Sequence, residues 1–220
     1  MIRALLADDH QLVREGLKSI LEQATDISVI AEASNGLEAI QEYQRTHPDV
    51  AILDISMPGM DGLDAVKQIS SFDPDARVLI LTVYPEQQYA VRALKAGALG
   101  YITKGTSSRE LHNAVRLVFQ GKQFLSNEAR DNVMLQLLAK QAQVDPVDSL
   151  SDRELQVLCL IARGQKPKEI ADDLRLSAKT IESYKSRAMR KLDLRNDAEI
   201  CRFVFDNKLI EGITPPGDEI

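Results

Sequence analysis

Only two cysteines occur in the 220 residues. Cys159 and Cys201 both lie among Leu, Ile, Val and Phe, so they read as buried thiols rather than as a disulfide. A disulfide-stapled secreted scaffold is excluded on that ground, and a reducing, cytoplasmic compartment is expected. No apolar run approaches the roughly 20 residues that a bilayer-spanning helix needs, so no membrane partner is expected. Met1-Ile-Arg3 leads straight into a strand pattern rather than into a signal peptide. The three histidines, His10, His47 and His112, are scattered without metal-ligand spacing and read as ordinary polar residues. The net charge of −6 carries no hint of nucleic acid when the chain is taken whole. Internal repeats and low-complexity tracts are absent.

What is present is a change of pattern partway along. Up to about residue 122, short apolar runs alternate with helical stretches. The runs Ile2–Ala7, Ile27–Ala33, Val50–Leu53, Val78–Leu81 and Leu99–Ile102 read as strands. Between and after them, Gln11–Glu22, Gly36–Arg45, Gly62–Ser70, Glu86–Ala96 and Ser108–Gln120 read as helices. Strand–helix alternation at this spacing predicts βαβ units around a parallel sheet covered on both faces, a doubly wound α/β domain. Ser107 and Glu110 open the last of these helices with a capping pattern. Asn127–Ala142 reads as a further helix, followed by a polar, proline-containing linker, Gln143-Val-Asp-Pro-Val-Asp148. From Leu150 onward only helices are visible: one opened by Ser151 and Glu154, a short one over Lys168–Leu174, a longer one capped by Ser177 and running to Leu192, and a fourth over Asn196–Asn207. The expected organisation is an α/β domain over residues 1–122, a linker with a helix over 123–148, and an all-α four-helix domain over 149–214.

Five polar residues end the predicted strands. Asp8 and Asp9 follow the first, Asp54 the third, Thr82 the fourth, and Lys104 the fifth. In an open parallel sheet the carboxyl ends of the strands line one crevice where ligands bind. Three carboxylates, a hydroxyl and an ammonium converging there suit a divalent cation and a phosphoryl group. Asp9 and Asp54 can bind a magnesium ion (Mg2+) directly, Asp8 through water, and the backbone carbonyl of Ser56 can also reach it. A cation beside Asp54 keeps its carboxylate ionised and competent as an oxygen nucleophile toward phosphorus. Lys104 can neutralise a phosphoryl oxygen and Thr82 can donate to another.

Charge separates the two halves. Residues 1–125 hold 12 basic against 16 acidic side chains, residues 150–214 hold 13 against 11. Within 175–195 seven basic residues, Arg175, Lys179, Lys185, Arg187, Arg190, Lys191 and Arg195, face only Glu182 and Asp193. That patch is a plausible phosphate-backbone footprint. Advancing about 100° per residue from Ile181, Tyr184, Ala188 and Leu192 fall on one apolar stripe. Lys179, Ser183, Ser186, Arg187 and Arg190 fall opposite, with Glu182 at the border. A helix of this kind fits the DNA major groove, and the tight turn from Lys168–Leu174 into it has helix-turn-helix spacing.

The runs Asp8-Asp9-His10, Asp54-Ile-Ser-Met-Pro-Gly-Met-Asp-Gly62, Thr82, and Ala98-Leu-Gly-Tyr-Ile-Thr-Lys104 resemble a bacterial response-regulator receiver domain, with a flavodoxin-like five-stranded parallel sheet. The resemblance implies that Asp54 is the phosphoacceptor and that a sensor histidine kinase supplies the phosphoryl group. It also implies that Thr82 and Tyr101 form a switch pair in which the hydroxyl turns to the phosphoryl group and the ring moves inward. Val83 follows Thr82 where a smaller residue is common, and Gly105 follows Lys104 where proline is usual. Leu150-Ser-Asp-Arg-Glu-Leu155, Ile161-Ala-Arg-Gly164, Lys168-Glu-Ile-Ala171 and Leu176-Ser-Ala-Lys-Thr-Ile181 resemble the LuxR-type four-helix DNA-binding domain. The whole chain is therefore similar to the NarL/FixJ family, and Tyr184 resembles the GacA/UvrY-like branch. By that resemblance the helix holding Lys179–Lys191 reads DNA, through Glu182, Ser183 and Ser186 at base edges. The full expected contact set adds Lys168, Lys179, Thr180, Lys185, Arg187, Arg190 and Lys191. The last helix, with Ile200, Cys201, Val204 and Phe205, resembles a dimerisation helix, although those residues could equally be core. A homodimer on phosphorylation, reading an inverted repeat in double-stranded DNA, is the expected assembly. Two other classes stay open on these residues alone. A phosphohydrolase would use Asp54 as nucleophile, but Ser56 stands where a general-acid carboxylate would be needed, so a phosphoacceptor regulator with self-catalysed phosphotransfer and dephosphorylation only, not an enzyme, is expected. A regulator that binds protein instead of DNA through its C-terminal helices is the other.

Overall fold

A computed structural model describes residues 1–84, 86–126, 146–174, 176–207, and 209 and 210. The helix expected over Asn127–Ala142, the first residues of the expected linker, and Arg175 lie outside the described residues. The chain divides into two compact units, residues 1–137 and 138–220.

The first unit alternates β1 (Ile2–Ala7), α1 (Gln11–Glu22), β2 (Ile27–Ala33), α2 (Gly36–Thr46), β3 (Val50–Leu53), α3 (Gly62–Phe72), β4 (Val78–Thr82), α4 (Glu86–Ala96), β5 (Gly100–Thr103) and α5 (Ser108–Phe119). The strands form one parallel sheet in the order β2-β1-β3-β4-β5. Strand order reverses between β1 and β3, and this is where such a sheet opens a crevice. Period-two alternation divides the strands between two faces. Ile2, Ala4 and Leu6 pack with Leu17 and Leu21 of α1 and with Leu111, Val115 and Val118 of α5. The helices α2, α3 and α4 pack against one another in sequence, with Ala39, Leu63, Val66, Ile69 and Ala93 buried. Asn35, Asp61 and Ser107 cap α2, α3 and α5 by accepting the backbone N–H three residues on.

Two strands differ from expectation. β4 runs on to Thr82, and β5 starts and ends one residue later than expected, because β-branched Thr82 and Thr103 pair in register across the two strands. Beyond α5 the chain returns to the sheet edge. Phe124 donates to the Leu99 carbonyl and accepts from Tyr101 N–H, which extends the parallel pairing beside β5.

Arg116 on α5 forks onto Asp26 just before β2 through two hydrogen bonds of 2.7 Å. The guanidinium holds the Asp26 carboxyl down to about 2. Because the folded value lies below the ordinary carboxylate value of roughly 3.9, whatever this pair adds to stability is complete above that pH and is lost as pH falls through 2. Carboxyl NMR titration should find an Asp26 midpoint near 2, returning to roughly 3.9 in Arg116→Ala.

The second unit begins with a 3₁₀ turn, Pro146–Ser149, followed by α6 (Asp152–Ala162), α7 (Pro167–Asp173), α8 (Ala178–Leu192) and α9 (Asp197–Asp206). Ser151 and Glu154 form a reciprocal capping box on α6. Pro167 opens α7 at a position whose N–H has no partner within the helix. Leu155, Leu158, Ile170, Ile181, Ala188, Ile200 and Val204 are fully buried, so α6, α7, α8 and α9 each contribute to one core.

Candidate functional site

The sheet's own hydrogen bonds carry on past the strand ends and fix the backbone of the polar residues there. Asp8 N–H donates to the Ala33 carbonyl, Asp54 N–H to Ala7, and Lys104 N–H to Thr82. The side chains are therefore delivered to one place. Asp8, Asp9, Asp54 and Thr82 are all buried. Lys104 Nζ bridges two carboxylates, 2.6 Å from Asp8 Oδ2 and 2.5 Å from Asp54 Oδ2. His10 N–H donates to Asp8 Oδ1 and Ser56 N–H approaches Asp54 Oδ1.

Electrostatics follow from burial. Burial pushes the Asp54 carboxyl above its ordinary value, while the Lys104 ammonium and the Thr82 hydroxyl pull it back. Burial disfavours the Lys104 ammonium, but Asp54 and Asp8 more than offset this, so its pKa is raised and it stays charged. Three buried carboxylates and the nearby Ser56 backbone form a hard-oxygen donor set of the kind a magnesium ion takes. Ligand atoms of Asp8, Asp9 and His10 lie within 4.8 Å of one another. His10, which the sequence offered only as an ordinary polar residue, belongs to this cluster.

Behind the crevice, the Tyr101 ring is buried and its hydroxyl donates to the Tyr84 carbonyl at 3.0 Å. Tyr84 in turn lies against Tyr89, ring centroids 5.0 Å apart. The Tyr101 ring is thus enclosed and tied through its hydroxyl to the segment after β4. Gly62 meets the site from behind: a Cβ added there would fall 1.9 Å from the Asp54 carbonyl oxygen.

The second unit presents α8. Ser177 caps it by accepting from Thr180 N–H. Ile181 and Ala188 are buried beneath, and α8 packs on α6 and α7. Lys168 on α7 and Lys179, Glu182, Ser186, Arg187 and Arg190 on α8 are exposed, with Thr180 and Ser183 half-buried. An open cleft of about 280 Å³ is lined by Ser177, Lys179, Thr180, Ser183, Tyr184 and Arg187. Tyr184 differs from expectation. It sits at the edge of the apolar stripe, half-buried, and its ring faces the cleft with the Arg187 guanidinium 6.0 Å from its centroid.

Lys185 and Lys191, both in the expected contact set, are committed within the unit. Lys185 Nζ pairs with Asp197 on α9 at 2.7 Å, and Lys191 Nζ with the buried Glu154 on α6 at 2.6 Å. Burial alone would raise the Glu154 carboxyl, but Lys191 and the Ser151 N–H bring it below its ordinary value. Counting charges over 175–195 misses both acids because they come from other helices. On α9, Ile200 and Val204 are core, while Cys201 and Phe205 are half-buried. Both thiols are free.

Comparison with known proteins places both units. Residues 4–116 match the family described as "Response regulator receiver domain", and residues 148–204 match "Bacterial regulatory proteins, luxR family". Response regulator UvrY of Escherichia coli is 36% identical over 214 residues, covering 97% of this chain and 98% of that protein. Oxygen regulatory protein NreC of Staphylococcus epidermidis is 39% identical over 218 residues, covering 96% and 100%. Among solved structures, RcsB from Salmonella enterica serovar Typhimurium, bound to promoter rprA in the presence of phosphomimetic BeF3-, superposes with a TM-score of 0.59. It is 27% identical and covers 93% of this chain and 98% of that one.

Proposed function

Because the chain belongs to the NarL/FixJ family of response regulators, two-component proteins joining a receiver to a LuxR-type DNA-binding domain to regulate transcription, we propose that Asp54 is its phosphoacceptor and that phosphorylation there switches dimerisation and DNA binding. The observation that carries this reading is the Lys104 ammonium set between Asp8 and Asp54, with Thr82 at the next strand end. That arrangement surrounds one carboxylate oxygen with the charges a phosphoryl group requires.

In the reaction, an Asp54 carboxylate oxygen forms a bond to phosphorus while the phosphorus–nitrogen bond of the kinase's phosphohistidine breaks, the electron pair leaving with the imidazole. Lys104 passes from the Asp54 carboxylate to a phosphoryl oxygen, and Thr82 donates to another. A magnesium ion held by Asp8, Asp9, Asp54 and the Ser56 carbonyl would supply neutralisation of the remaining charge. Tyr101, already enclosed, keeps the space behind Thr82 closed once the hydroxyl has turned. At the second unit, α8 enters the major groove, with Glu182, Ser183 and Ser186 toward base edges and the exposed cations on phosphates. Two copies read an inverted repeat, since a two-fold dimer matches a two-fold site. RcsB's capture on its promoter with a phosphomimetic supports the same coupling here. A cytoplasmic location goes with a target of this kind.

The test is a gel shift on promoter DNA of wild type and Asp54→Ala, each with and without a small phosphodonor and Mg2+. Stimulation of wild type alone is expected; equal responses from both would remove the switch from Asp54.

A further inference from the structure

We propose that residues 120–126 form a latch at the chain's exit from the receiver, tied both to the strand that carries Tyr101 and to the loop that begins at Thr82, and that phosphorylation opens its outer bond, from Ser126 N–H to Glu86. The proposal rests on the reading of Asp54 as phosphoacceptor and of Thr82 as the hydroxyl that responds to it. It adds the path from there to the linker.

The sequence builds the latch at the end of α5. Gly121 has a left-handed φ of 72°, and its N–H and that of Lys122 turn back to the carbonyls of Val118 and Leu117, each at 2.9 Å. This pair of bonds ends a helix and reverses the chain. Phe124 and Leu125 are then buried, and Phe124 joins the core that holds Val118 and Ile102. Phe124 N–H donates to the Leu99 carbonyl at 3.0 Å, and the Phe124 carbonyl accepts from Tyr101 N–H at 2.9 Å. Gly100 lies between those two partners. A Cβ there would stand 3.2 Å from the Phe124 oxygen, so its absence lets the segment lie close to β5.

The last bond of the latch is of a different kind. Ser126 is exposed, and its N–H donates to Glu86 Oε1, in the first turn of α4, at 2.8 Å. A carboxylate acceptor makes this a charge-assisted bond. It closes at the surface, whereas Phe124 is held by two main-chain bonds and by burial. Ser126 is therefore the end that opens.

The contacts close a ring. The Tyr101 hydroxyl donates to the Tyr84 carbonyl at 3.0 Å. Glu86 follows Tyr84 by two residues and holds Ser126; Phe124 precedes Ser126 by two residues and holds Tyr101 N–H. Thr82 stands at the head of the same loop, two residues before Tyr84. When Thr82 turns to a phosphoryl group it draws on the loop toward Glu86, while Phe124 stays fixed on β5. The bond that yields is Glu86–Ser126. Closed, it fixes the direction in which the chain sets out toward the second unit. Open, it frees that direction, and two copies on DNA settle into the orientation their site selects.

The experiment uses the full-length chain as wild type, Glu86→Ala and Glu86→Gln, each with and without a small phosphodonor and Mg2+. Circular dichroism checks that each variant is folded. Phosphoryl uptake is read by intact mass, amide exchange at Phe124 and Ser126 by NMR, and DNA affinity by gel shift on a duplex selected from a random pool by phosphorylated wild type. In wild type the phosphodonor should speed exchange at Ser126 about tenfold or more and leave Phe124 within about twofold. Glu86→Ala should take up the phosphoryl group as wild type does and exchange fast at Ser126 without it. Its unphosphorylated form should bind DNA about tenfold more tightly than unphosphorylated wild type. Glu86→Gln keeps an oxygen acceptor and should follow wild type throughout. Ser126 exchange in wild type that ignores the phosphodonor overturns the proposal, and that arm needs no variant. Unphosphorylated Glu86→Ala that binds DNA within about twofold of wild type overturns it as well. So does Glu86→Gln that follows Glu86→Ala, because the charge of Glu86 and not its bond would then be what matters. All three failures leave the response of wild-type DNA binding to the phosphodonor intact. Loss of that response in wild type itself would instead remove the underlying reading, and the latch with it.

Discussion

Replacing Gly62 by alanine should lower stability and phosphoryl uptake together. An added Cβ would stand 1.9 Å from the Asp54 carbonyl oxygen, 2.8 Å from its carbonyl carbon and 3.0 Å from Ile55 Cα. All three are backbone atoms, so no side chain can rotate out of the way. Gly62 N–H also donates to the Ile55 carbonyl, which ties the first turn of α3 to the chain just after β3. Relief of the clash must therefore move α3 away from β3 or move Asp54 itself. Overpacking costs on the order of 1–3 kcal/mol, and the upper end applies where only backbone atoms stand in the way. Thermal denaturation should record that loss, and phosphodonor labelling of the folded fraction should fall well below wild type. Gly62→Ala that melts with wild type and labels normally would mean that the α3 turn is not held against Asp54 as described.

This close approach shows where sequence reading stops. Asp8, Asp9, Asp54, Thr82 and Lys104 could be placed from the chain because each ends a run that is apolar on both faces, and all strand ends of a parallel sheet open on one side. The strands themselves were legible for the same reason: their apolar runs are short and bounded by turn residues. Strand limits moved by a residue only where pairing overrode the apolar pattern, at Thr82, Gly100 and Thr103. Distances across the sheet were not legible. That Lys104 would touch Asp8 as well as Asp54, and that Gly62 would lie against the Asp54 carbonyl, are consequences of how loops from different strands pack. The place of His10 was not legible because scattered histidines carry no spacing signal; its partners, Asp8 and Asp9, are its own neighbours, and the turn at the start of α1 folds its ring back onto them. Phe124 pairs beside β5 through main-chain bonds to Leu99 and Tyr101, for which no residue type is diagnostic.

In the helical unit the periodic pattern located α6 through α9 to within a residue or two, but it does not show which cations on α8 are paired within the unit. Lys179 and Arg187 line the open cleft, whereas Lys185 and Lys191 are bound to Asp197 and Glu154. Duplex DNA affinity measured against salt should separate them. Removing a cation from one DNA phosphate flattens the slope of log affinity against log salt by about 0.9. Lys179→Ala and Arg187→Ala should each weaken binding by about tenfold and flatten the slope by about that amount. Lys185→Ala and Lys191→Ala should leave the slope nearly as it is. Lys191→Ala should act on stability instead, by on the order of 1 kcal/mol, because Glu154 is buried and would lose its partner. The alternative, that the ion pairs open when DNA arrives and all four cations reach phosphates, predicts equal flattening in all four variants. The energetics favour the first outcome. Glu154 is buried and accepts from the Ser151 N–H and from Lys191, so taking that lysine away strips a buried carboxylate of its charged partner, while Arg187 lies over the Tyr184 ring and leaves no carboxylate behind when it turns to a phosphate.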